Sequence, residues 1–417
     1  MVATPHAAVT PPWSRLQRVA FRFLFATMLL LAFPFPLGFI PGTGRLAQAV
    51  TEPWQWAVAW FAEHVLRIEP PPFVVTGSGD TLWHWVWFLL VLTLAAVITI
   101  VWSILDRRRA YPRLASALHV GARYFLASIM LGYGLAKVFP VQFGTVWLPR
   151  YDVRLGDMSP MGLLWTFMAH SAPYTIAAGI AEVVGAVLLL SRRTTIFGAL
   201  ILIVVMTNVV LLNLCYDVPV KLFSMSLLAI AIGIALPSAR RLIGAALGHA
   251  APAVAPRPRG SLGAERVRML AKLVILVSFV ISAHQWRQLA TMIHHPPTVL
   301  HGSWRIDRHS VDGIELPSDF THDERWRTLH VHERGITVRH ATDRRSHLRA
   351  EVDPEAKTLT ILDGIIRYPL AYRRTGDALV LDGTLRGERL HLELVLMPPA
   401  ELSTRGFHWV TEEPYYR

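Results

Sequence analysis

The sequence predicts a polytopic all-α membrane bundle of about seven transmembrane helices, followed by a C-terminal antiparallel β-barrel or meander domain. Three observations predict this class. Of the 417 residues 53% are hydrophobic, and the mean hydropathy of +0.38 is too high for an ordinary soluble domain. Long apolar runs recur up to about residue 283, and beyond about residue 298 short alternating runs separated by turn residues replace them.

The apolar runs are long enough for membrane helices, since a spanning helix needs about 20 apolar residues. They lie at 23–40, 81–105, 119–139, 173–190, 195–214, 218–236 and 269–283. The predicted domains are a cytoplasmic tail (1–22), a pair of spans with an outer interfacial helix (23–118), a four-helix core (119–236), a Pro/Arg linker (237–266), a last span (267–290) and a β-domain with an aromatic tail (298–417). The first run, followed by RLAQA at 45–49, also fits a cleaved signal peptide.

Two segments between the runs are too short to cross. Residues 51–66 contain Trp54, Trp56 and Trp60, whose rings suit the headgroup region, so we expect an interfacial helix on the outer side. Residues 159–173 open on a Ser-Pro pair that starts helices, and we expect them to lie in the outer interface or to dip back into the bundle.

Basic residues predict the orientation. The segments that must share one side hold Arg15, Arg18, Arg22, Arg107, Arg108, Arg109, Arg192, Arg193, Arg240, Arg241, Arg257, Arg259, Arg266 and Arg268. The positive-inside rule makes this side cytoplasmic, which predicts a bacterial inner-membrane protein with its N-terminus inside and its β-domain in the periplasm or otherwise outside. The formal charge of +12 is then partly a consequence of topology, and no nucleic-acid-binding motif accompanies it.

The C-terminal region predicts about eight antiparallel strands, at 301–308, 325–333, 335–341, 346–353, 357–363, 365–372, 378–382 and 387–397. A closed barrel is favoured because closure removes the exposed edges of a flat sheet. The sequence GSW at 302–304 resembles the G-x-W start of lipocalin-like barrels, although Trp304 also fits a plain core aromatic.

Ionisable and amide side chains inside spans are costly and usually face the bundle interior, so they are the candidate ligand-binding residues. They are Arg123, Tyr133, Lys137, Glu182, Asn208, Asn213, Asp217 and Lys221. At about 100° and 1.5 Å per residue, Arg123 and Lys137 share a helix face and Glu182 falls between their heights. Glu182 can therefore pair with either cation, in a structural network or in a binding site.

The apolar stretch 211–230 contains an acidic and a basic residue four positions apart, Asp217 and Lys221, around Pro219. We expect a turn in which Asp217 caps the next helix, Pro219 occupies its first turn and Lys221 lies one turn along. The other members of the polar vestibule expected above Glu182 are Tyr133, Lys137 and Asn213.

Two motifs in the core resemble those of DoxX-family membrane proteins. They are GARYFLASIMLGYGLAKVF at 121–139 and AGIAEVVGAVLLLSRRTT at 178–195, within a four-helix core of 119–236. Family members are similar to the small subunit of thiosulfate:quinone oxidoreductase, and many have no assigned activity. Lys137 and Glu182 stand at matching positions, but the resemblance assigns no catalytic residue. The N-terminal spans, the last span and the β-domain depart from the minimal family pattern.

Two functions follow as hypotheses, and the sequence does not decide whether the protein is an enzyme. The first is a quinone-linked redox component that holds an amphipathic molecule near Lys137 and Glu182, with Glu182 passing protons. Electrons would come from a partner subunit, since no haem, flavin or iron–sulfur motif is visible. The second is non-enzymatic: a lipid or small-molecule binder, or an envelope-complex scaffold, that uses the β-domain.

The cysteine and histidine patterns restrict which disulfides and metal sites the chain can form. Cys215 is the only cysteine, which excludes a disulfide or a thiolate metal cluster within the chain. The His pairs at 330/332 and 294/295 invite a metal interpretation, but scattered histidines nearby favour a solvated His-rich face, so we predict no metal site. We expect the aromatic residues of 403–417 to pack, either across the barrel end or onto the outer membrane face.

Overall fold

The computed structural model describes residues 12–37, 40, 42–249, 262–293, 298–317, 319 and 323–415. These residues form two compact units. The first comprises residues up to Gln142 and Pro173–Arg287, and the second comprises Phe143–Ala172 and Gln288–Arg417. The predicted histidine pair at 294–295 and residues 250–261 of the predicted linker lie outside the described residues.

The α-helices among the described residues range from 4 to 32 residues in length. They are α1 (Arg15–Ala32), α2 (Gly44–Phe61), α3 (Leu82–Leu105), α4 (Pro112–Val138), α5 (Leu148–Tyr151), α6 (Pro160–His170), α7 (Ala172–Leu190), α8 (Thr195–Cys215), α9 (Lys221–Ala235), α10 (Ala239–Ala246), α11 (Leu262–Ile293) and α12 (Glu401–Thr404). A π-helical turn, Ala62–Leu66, follows α2.

Six helical segments in the described part of the chain are long and apolar enough to cross a membrane. They are Leu82–Leu105, Pro112–Val138, Ala172–Leu190, Thr195–Cys215, Lys221–Ala246 and Glu265–Met292. The first predicted run, 23–40, is not among them: α1 ends at Ala32, and its 18 residues include Arg15, Arg18 and Arg22. Pro34 and Pro36 follow directly, and proline cannot continue a helix since it lacks the N–H donor and its ring clashes with the preceding turn.

The core of the first unit lies between α4, α7, α8 and α9. Its fully buried side chains are Leu126, Met130, Leu189, Leu202, Met206 and Leu227. Glycines let the helices approach closely: a Cβ on Gly179 of α7 would lie 2.7 Å from the carbonyl oxygen of Gly134 on α4. Gly185 and Gly198 bring α7 and α8 together in the same way. Small residues at such crossings allow the close backbone contact that stabilises helices in membranes.

The second unit contains a closed antiparallel barrel, which confirms the predicted eight-stranded class. Its strands are β1 (Gly302–Val311), β2 (Ile314–Glu315), β3 (Trp326–His332), β4 (Gly335–His340), β5 (Arg345–Asp353), β6 (Thr358–Asp363), β7 (Ile366–Thr375), β8 (Ala378–Leu385) and β9 (Glu388–Leu396). Each long strand pairs with the next, and β1 pairs with β9 to close the barrel. The short β2 is an addition: Asp312 and Gly313 both have positive φ, as a tight hairpin turn requires.

The two ends of the barrel differ. At the end where β1 begins and β9 finishes, which we call the tethered end, Trp304 is fully buried and its indole donates to the carbonyl of Leu300 at 2.9 Å. Trp304 is therefore a core aromatic. The opposite end, which we call the open end, contains Val311 and the start of β9. Large side chains fill the interior from the tethered end up to Ile361 and Leu392.

The C-terminal tail does not pack across the barrel end, so that part of the expectation is wrong. After α12 the side chains of residues 405–415 are exposed, with Phe407 78% and Trp409 91% accessible. The tail follows the last strand, where no further strand or helix within the described residues covers it. Packing onto a membrane face stays a prediction.

Candidate functional site

The centre of the first unit holds a buried ion pair between α4 and α7. Lys137 Nζ donates to both carboxylate oxygens of Glu182 at 2.8 Å, and the two side chains are only 9% and 2% exposed. The pair lies beside the crossing of Gly134 and Gly179, because a Cβ on Gly179 would meet the Cβ of Lys137 at 2.8 Å. Of the two cations offered by the sequence, Lys137 is the partner of Glu182.

Arg123 has a different function at the other end of α4. Its Nε and Nη2 donate to the carbonyl oxygen of Leu189 at 2.9 and 2.6 Å. Leu189 lies in the last turn of α7, where carbonyl groups have no partner within the helix. The buried guanidinium therefore provides a hydrogen-bond donor for an unpaired carbonyl at the end of α7. The negative end of the helix dipole in turn stabilises its positive charge. This contact ties α4 to α7 a second time.

The cap of α9 comes from a residue that sequence reasoning missed. Asp80 accepts the backbone N–H of Lys221 at 2.7 Å and that of Leu222 at 3.0 Å. The prediction that Asp217 caps this helix with Pro219 in its first turn is wrong, since α9 begins only at Lys221. Asp217 instead adopts a left-handed φ of 50° and its largely exposed carboxylate accepts from Lys221 Nζ at 2.8 Å.

We expect Asp80→Ala to destabilise the first unit by about 1–2 kcal/mol, the usual cost of removing an N-cap. Asp217→Ala should cost less than about 1 kcal/mol, because an exposed ion pair contributes little. Thermal unfolding of the two variants in the same detergent measures both values. Equal losses would contradict the assignment of the cap to Asp80.

The remaining candidate residues separate rather than gather in one vestibule. Asn213 is buried and donates from Nδ2 to Ser224 Oγ at 3.0 Å, which joins α8 to α9. Asn208 is exposed on α8. Tyr133 is 39% exposed, and the Lys137 ammonium lies 5.6 Å from the centre of its ring.

A cavity of about 410 Å³ lies within the first unit between α3, α4, α9 and the segment 73–79. Tyr133 lines it, and it is the one candidate residue that does. The cavity walls are Leu31, Phe73, Val74, Val75, Thr76, Gly77, Ser78, Gly79, His84, Trp87, Phe125, Val220, Leu222, Phe223, Ser226, Leu227 and Ile230. Apolar walls with a few hydroxyl and imidazole groups are typical of sites for small amphipathic ligands.

A second cavity, of about 480 Å³, occupies the open end of the barrel. Its floor contains Val338 and Ile361, and above them the interior becomes polar at His309, His340 and Tyr368. His309 is buried, and its Nδ1 accepts the backbone N–H of Trp326 at 3.0 Å. The other ring nitrogen, Nε2, is then the protonated one in the neutral imidazole. The sequence pattern did not identify His309, His340 or Tyr368 as candidate site residues.

The histidines of β3 are buried, so the predicted solvated His-rich face is wrong. His330 and His332 lie on one face of the strand, as alternation requires, but both are less than 5% exposed. Residues 143–153 cover this face: the ring of Trp147 lies 5.0 Å from that of His332, and Asp152 accepts from Arg339 at 2.6 Å. The strand sequence WRTLHVH could have indicated this burial, because its outward positions Thr328, His330 and His332 carry no permanent charge.

The contacts of Asp152 form a polar network beneath this covering segment. His330 Nδ1 pairs with Ser303 Oγ at 2.8 Å, and its Nε2 lies 3.4 Å from Asp152 Oδ2. Burial raises the pKa of Asp152, but the nearby His330 and the hydrogen bond from Arg339 outweigh it, and the pKa is lower than usual. Among the described residues no cluster of three or more His, Cys, Asp or Glu side chains is placed to hold a metal ion.

We expect the barrel to lose stability as the pH falls from about 6.5. Burial, with Arg325 and His340 nearby, lowers the pKa of His309 to about 4, and burial lowers that of His332 to about 4. The unfolded chain binds these protons at higher pH, so unfolding is favoured below pH 6.5 by up to about 1.4 kcal/mol per pH unit for each group. Denaturant titrations at pH 7 and 5 measure this, and His309→Asn should reduce the difference. An unchanged pH dependence in the variant would contradict the assignment.

Three comparisons place the chain among known proteins. No family model matches the sequence, and no solved structure matches it. A stretch of 122 residues, 29% of this chain, is 36% identical to YwoB of Bacillus subtilis (strain 168), a protein described as uncharacterized. The stretch covers 77% of YwoB, so the likeness extends over most of that protein.

Proposed function

This chain belongs to the family of the Bacillus subtilis protein YwoB, and we propose that it binds an amphipathic small molecule within its helical unit. The proposed ligand class is a flat ring with hydrogen-bonding groups and an apolar substituent, such as a quinone. The observation that carries this proposal is the interhelical cavity, which combines aromatic walls with Tyr133, His84 and Ser226. The resemblance of residues 119–236 to DoxX proteins supports the same ligand class.

The cavity suits such a molecule in size and chemistry. Its volume of about 410 Å³ lies within the range of about 300–1,000 Å³ of small-molecule sites. Tyr133 and Phe223 lie with ring centroids 6.4 Å apart, and both contribute to the wall with Trp87. A ring carbonyl would accept from the Tyr133 hydroxyl, while the apolar part would contact Leu227 and Ile230.

The ion pair of Lys137 and Glu182 positions this site rather than touching the ligand. Neither residue lines the cavity, and both oxygens of Glu182 accept from Lys137. The pair holds α4 against α7, and it places the Lys137 ammonium 5.6 Å from the Tyr133 ring, a cation–π distance. Tyr133 is therefore held one helical turn from a fixed charge. We assign no reaction to the pair.

A role in quinone-linked redox chemistry requires a partner. The sequence contains no haem, flavin or iron–sulfur motif, so electrons would reach a bound quinone from another subunit. Under this proposal the chain is a membrane-embedded binding subunit in a bacterial inner membrane. The segment between the fifth and sixth candidate spans is then cytoplasmic and the barrel is periplasmic. A cytoplasmic N-terminus requires the first apolar run to cross as well, because six spans alone place the N-terminal segment and the barrel on the same side. Reporter fusions at residues 255 and 400 should therefore report opposite sides, and the same side for both would overturn the orientation.

Lipid extraction and mass spectrometry of the detergent-purified protein test the site. We expect an amphipathic ring compound to co-purify, and Ser226→Phe, which fills the cavity, to remove it. Gly132→Phe is the matched control, because Gly132 lines a different cavity of about 300 Å³ between α4 and α11 and a Cβ there meets no atom within 4 Å. Loss of the compound in the control but not in Ser226→Phe would overturn the proposal.

A second candidate function uses the open end of the barrel. The buried, neutral His309 lines that cavity with a protonated Nε2, which suits a ligand with a hydrogen-bond acceptor. Large side chains fill the barrel below, so the site would take a small molecule at its mouth rather than a lipid chain. In the same extraction, loss of the bound compound in His309→Phe with retention in Ser226→Phe would assign the ligand to the barrel.

A further inference from the structure

The C-terminal tail carries an exposed aromatic cluster that the proposed function does not use. The rings of Phe407 and Trp409 contact each other edge to face, with centroids 4.9 Å apart. The guanidinium of Arg405 lies 3.9 Å over the ring of Tyr415, which brings the ends of the tail together. Phe407, Trp409 and Val410 are nevertheless 78%, 91% and 75% exposed. So large an exposed aromatic surface is typical of a binding surface.

The chain path shows which end of the barrel carries this cluster. Trp304 of β1 pairs with Leu396 of β9, so the chain enters and leaves the barrel at the tethered end. The chain enters from α11, which contains a candidate membrane span that ends at Met292. Residues 294–301 separate α11 from β1, and at about 3.3 Å per residue they extend at most about 26 Å. The tail therefore leaves the same end of the barrel that the chain joins to a candidate membrane span through eight residues.

We propose that residues 405–415 insert into the headgroup region of the lipid bilayer and hold the tethered end of the barrel at the membrane surface. Trp, Tyr and Phe are the residues that prefer this region, because one part of the ring system is apolar while the indole N–H, the hydroxyl or a neighbouring cation stays hydrated. The tail also contains Arg405, Glu412 and Glu413, so its charges nearly cancel. Binding should therefore depend on aromatic burial and should be insensitive to salt and to anionic lipid.

A polarity-sensitive label on the full-length protein in phosphatidylcholine nanodiscs tests this inference. Cys215→Ser removes the lone cysteine, and His408→Cys then places the label next to both exposed rings. Ile365→Cys is the matched control, because Ile365 is 99% exposed in the turn between β6 and β7 at the open end. We expect a blue-shifted emission at position 408 that doxyl-labelled lipid quenches, and a water-like, unquenched emission at position 365.

Adding Phe407→Ser and Trp409→Ser should abolish the shift at position 408 while the thermal unfolding of the protein stays unchanged. Equal, water-like emission at positions 408 and 365 would overturn the inference. A blue shift at position 408 without quenching by lipid would overturn it too, because a protein surface would then cover the cluster. Strong dependence on salt or on anionic lipid would contradict the aromatic origin of the binding.

Discussion

Glu182→Gln and Lys137→Met should each destabilise the protein by about 3–5 kcal/mol, the cost of leaving one partner of a buried ion pair uncompensated. Both side chains are nearly inaccessible, and both oxygens of Glu182 accept from Lys137 at 2.8 Å. The double variant should recover part of the loss, since it removes both charges and leaves a neutral pair of similar size. Thermal or chemical unfolding of the four proteins in one detergent measures the coupling.

Asp217→Asn is the matched control for this cycle. It weakens the ion pair with Lys221, but Asp217 is largely exposed and asparagine tolerates its left-handed backbone. The expected change is below about 1 kcal/mol. If Glu182→Gln left stability nearly intact and abolished binding of the co-purified compound, the positioning function of the pair would be wrong, and Glu182 would serve a ligand or a proton.

Gly179→Ala should destabilise the first unit by about 1–3 kcal/mol, the usual cost of overpacking a tight contact. The added Cβ would lie 2.7 Å from the Gly134 carbonyl oxygen, 2.8 Å from the Lys137 Cβ and 2.9 Å from the Val138 nitrogen. Two of these atoms are backbone atoms, so α4 and α7 must move apart. This movement would also lengthen the contact between Lys137 and Glu182, so the bound compound should be lost along with stability.

Gly132→Ala, on α4, should change stability in the opposite direction. A Cβ at Gly132 meets no atom within 4 Å, so the change should stabilise the helix by about 0.5–1 kcal/mol, as removal of an interior glycine does. Equal effects of the two substitutions on thermal unfolding would contradict the close approach of α4 and α7.

The strands of the β-domain could be predicted one by one, because neighbouring residues determine each strand and each turn. Period-two alternation gives the strands, and pairs such as Asp312-Gly313 give the turns between them. The predicted strands 335–341 and 357–363 match Gly335–His340 and Thr358–Asp363 within a residue. Burial of the outward histidines was not predictable, since the segment that covers them lies between two apolar runs far away in the sequence.

The residue that caps α9 could not be predicted from the neighbouring sequence either. Asp217 was the natural local choice, because aspartate immediately before an apolar run is a common helix start. Asp80 lies 141 residues from Lys221 and reaches the helix only because the loop before α3 packs there. The unpaired N–H groups at a helix start can donate to any carboxylate that the fold brings near, so distance along the sequence does not identify the cap.

The sequence by itself determined the apolar helical region, the eight-stranded domain after it and the ionisable residues within the helices, because hydrophobicity and its period are properties of neighbouring residues. Tertiary structure alone decided that Glu182 pairs with Lys137 and that Arg123 binds the end of α7. It also decided where the cavities lie, since contacts and voids between helices depend on how closely their glycines let them approach.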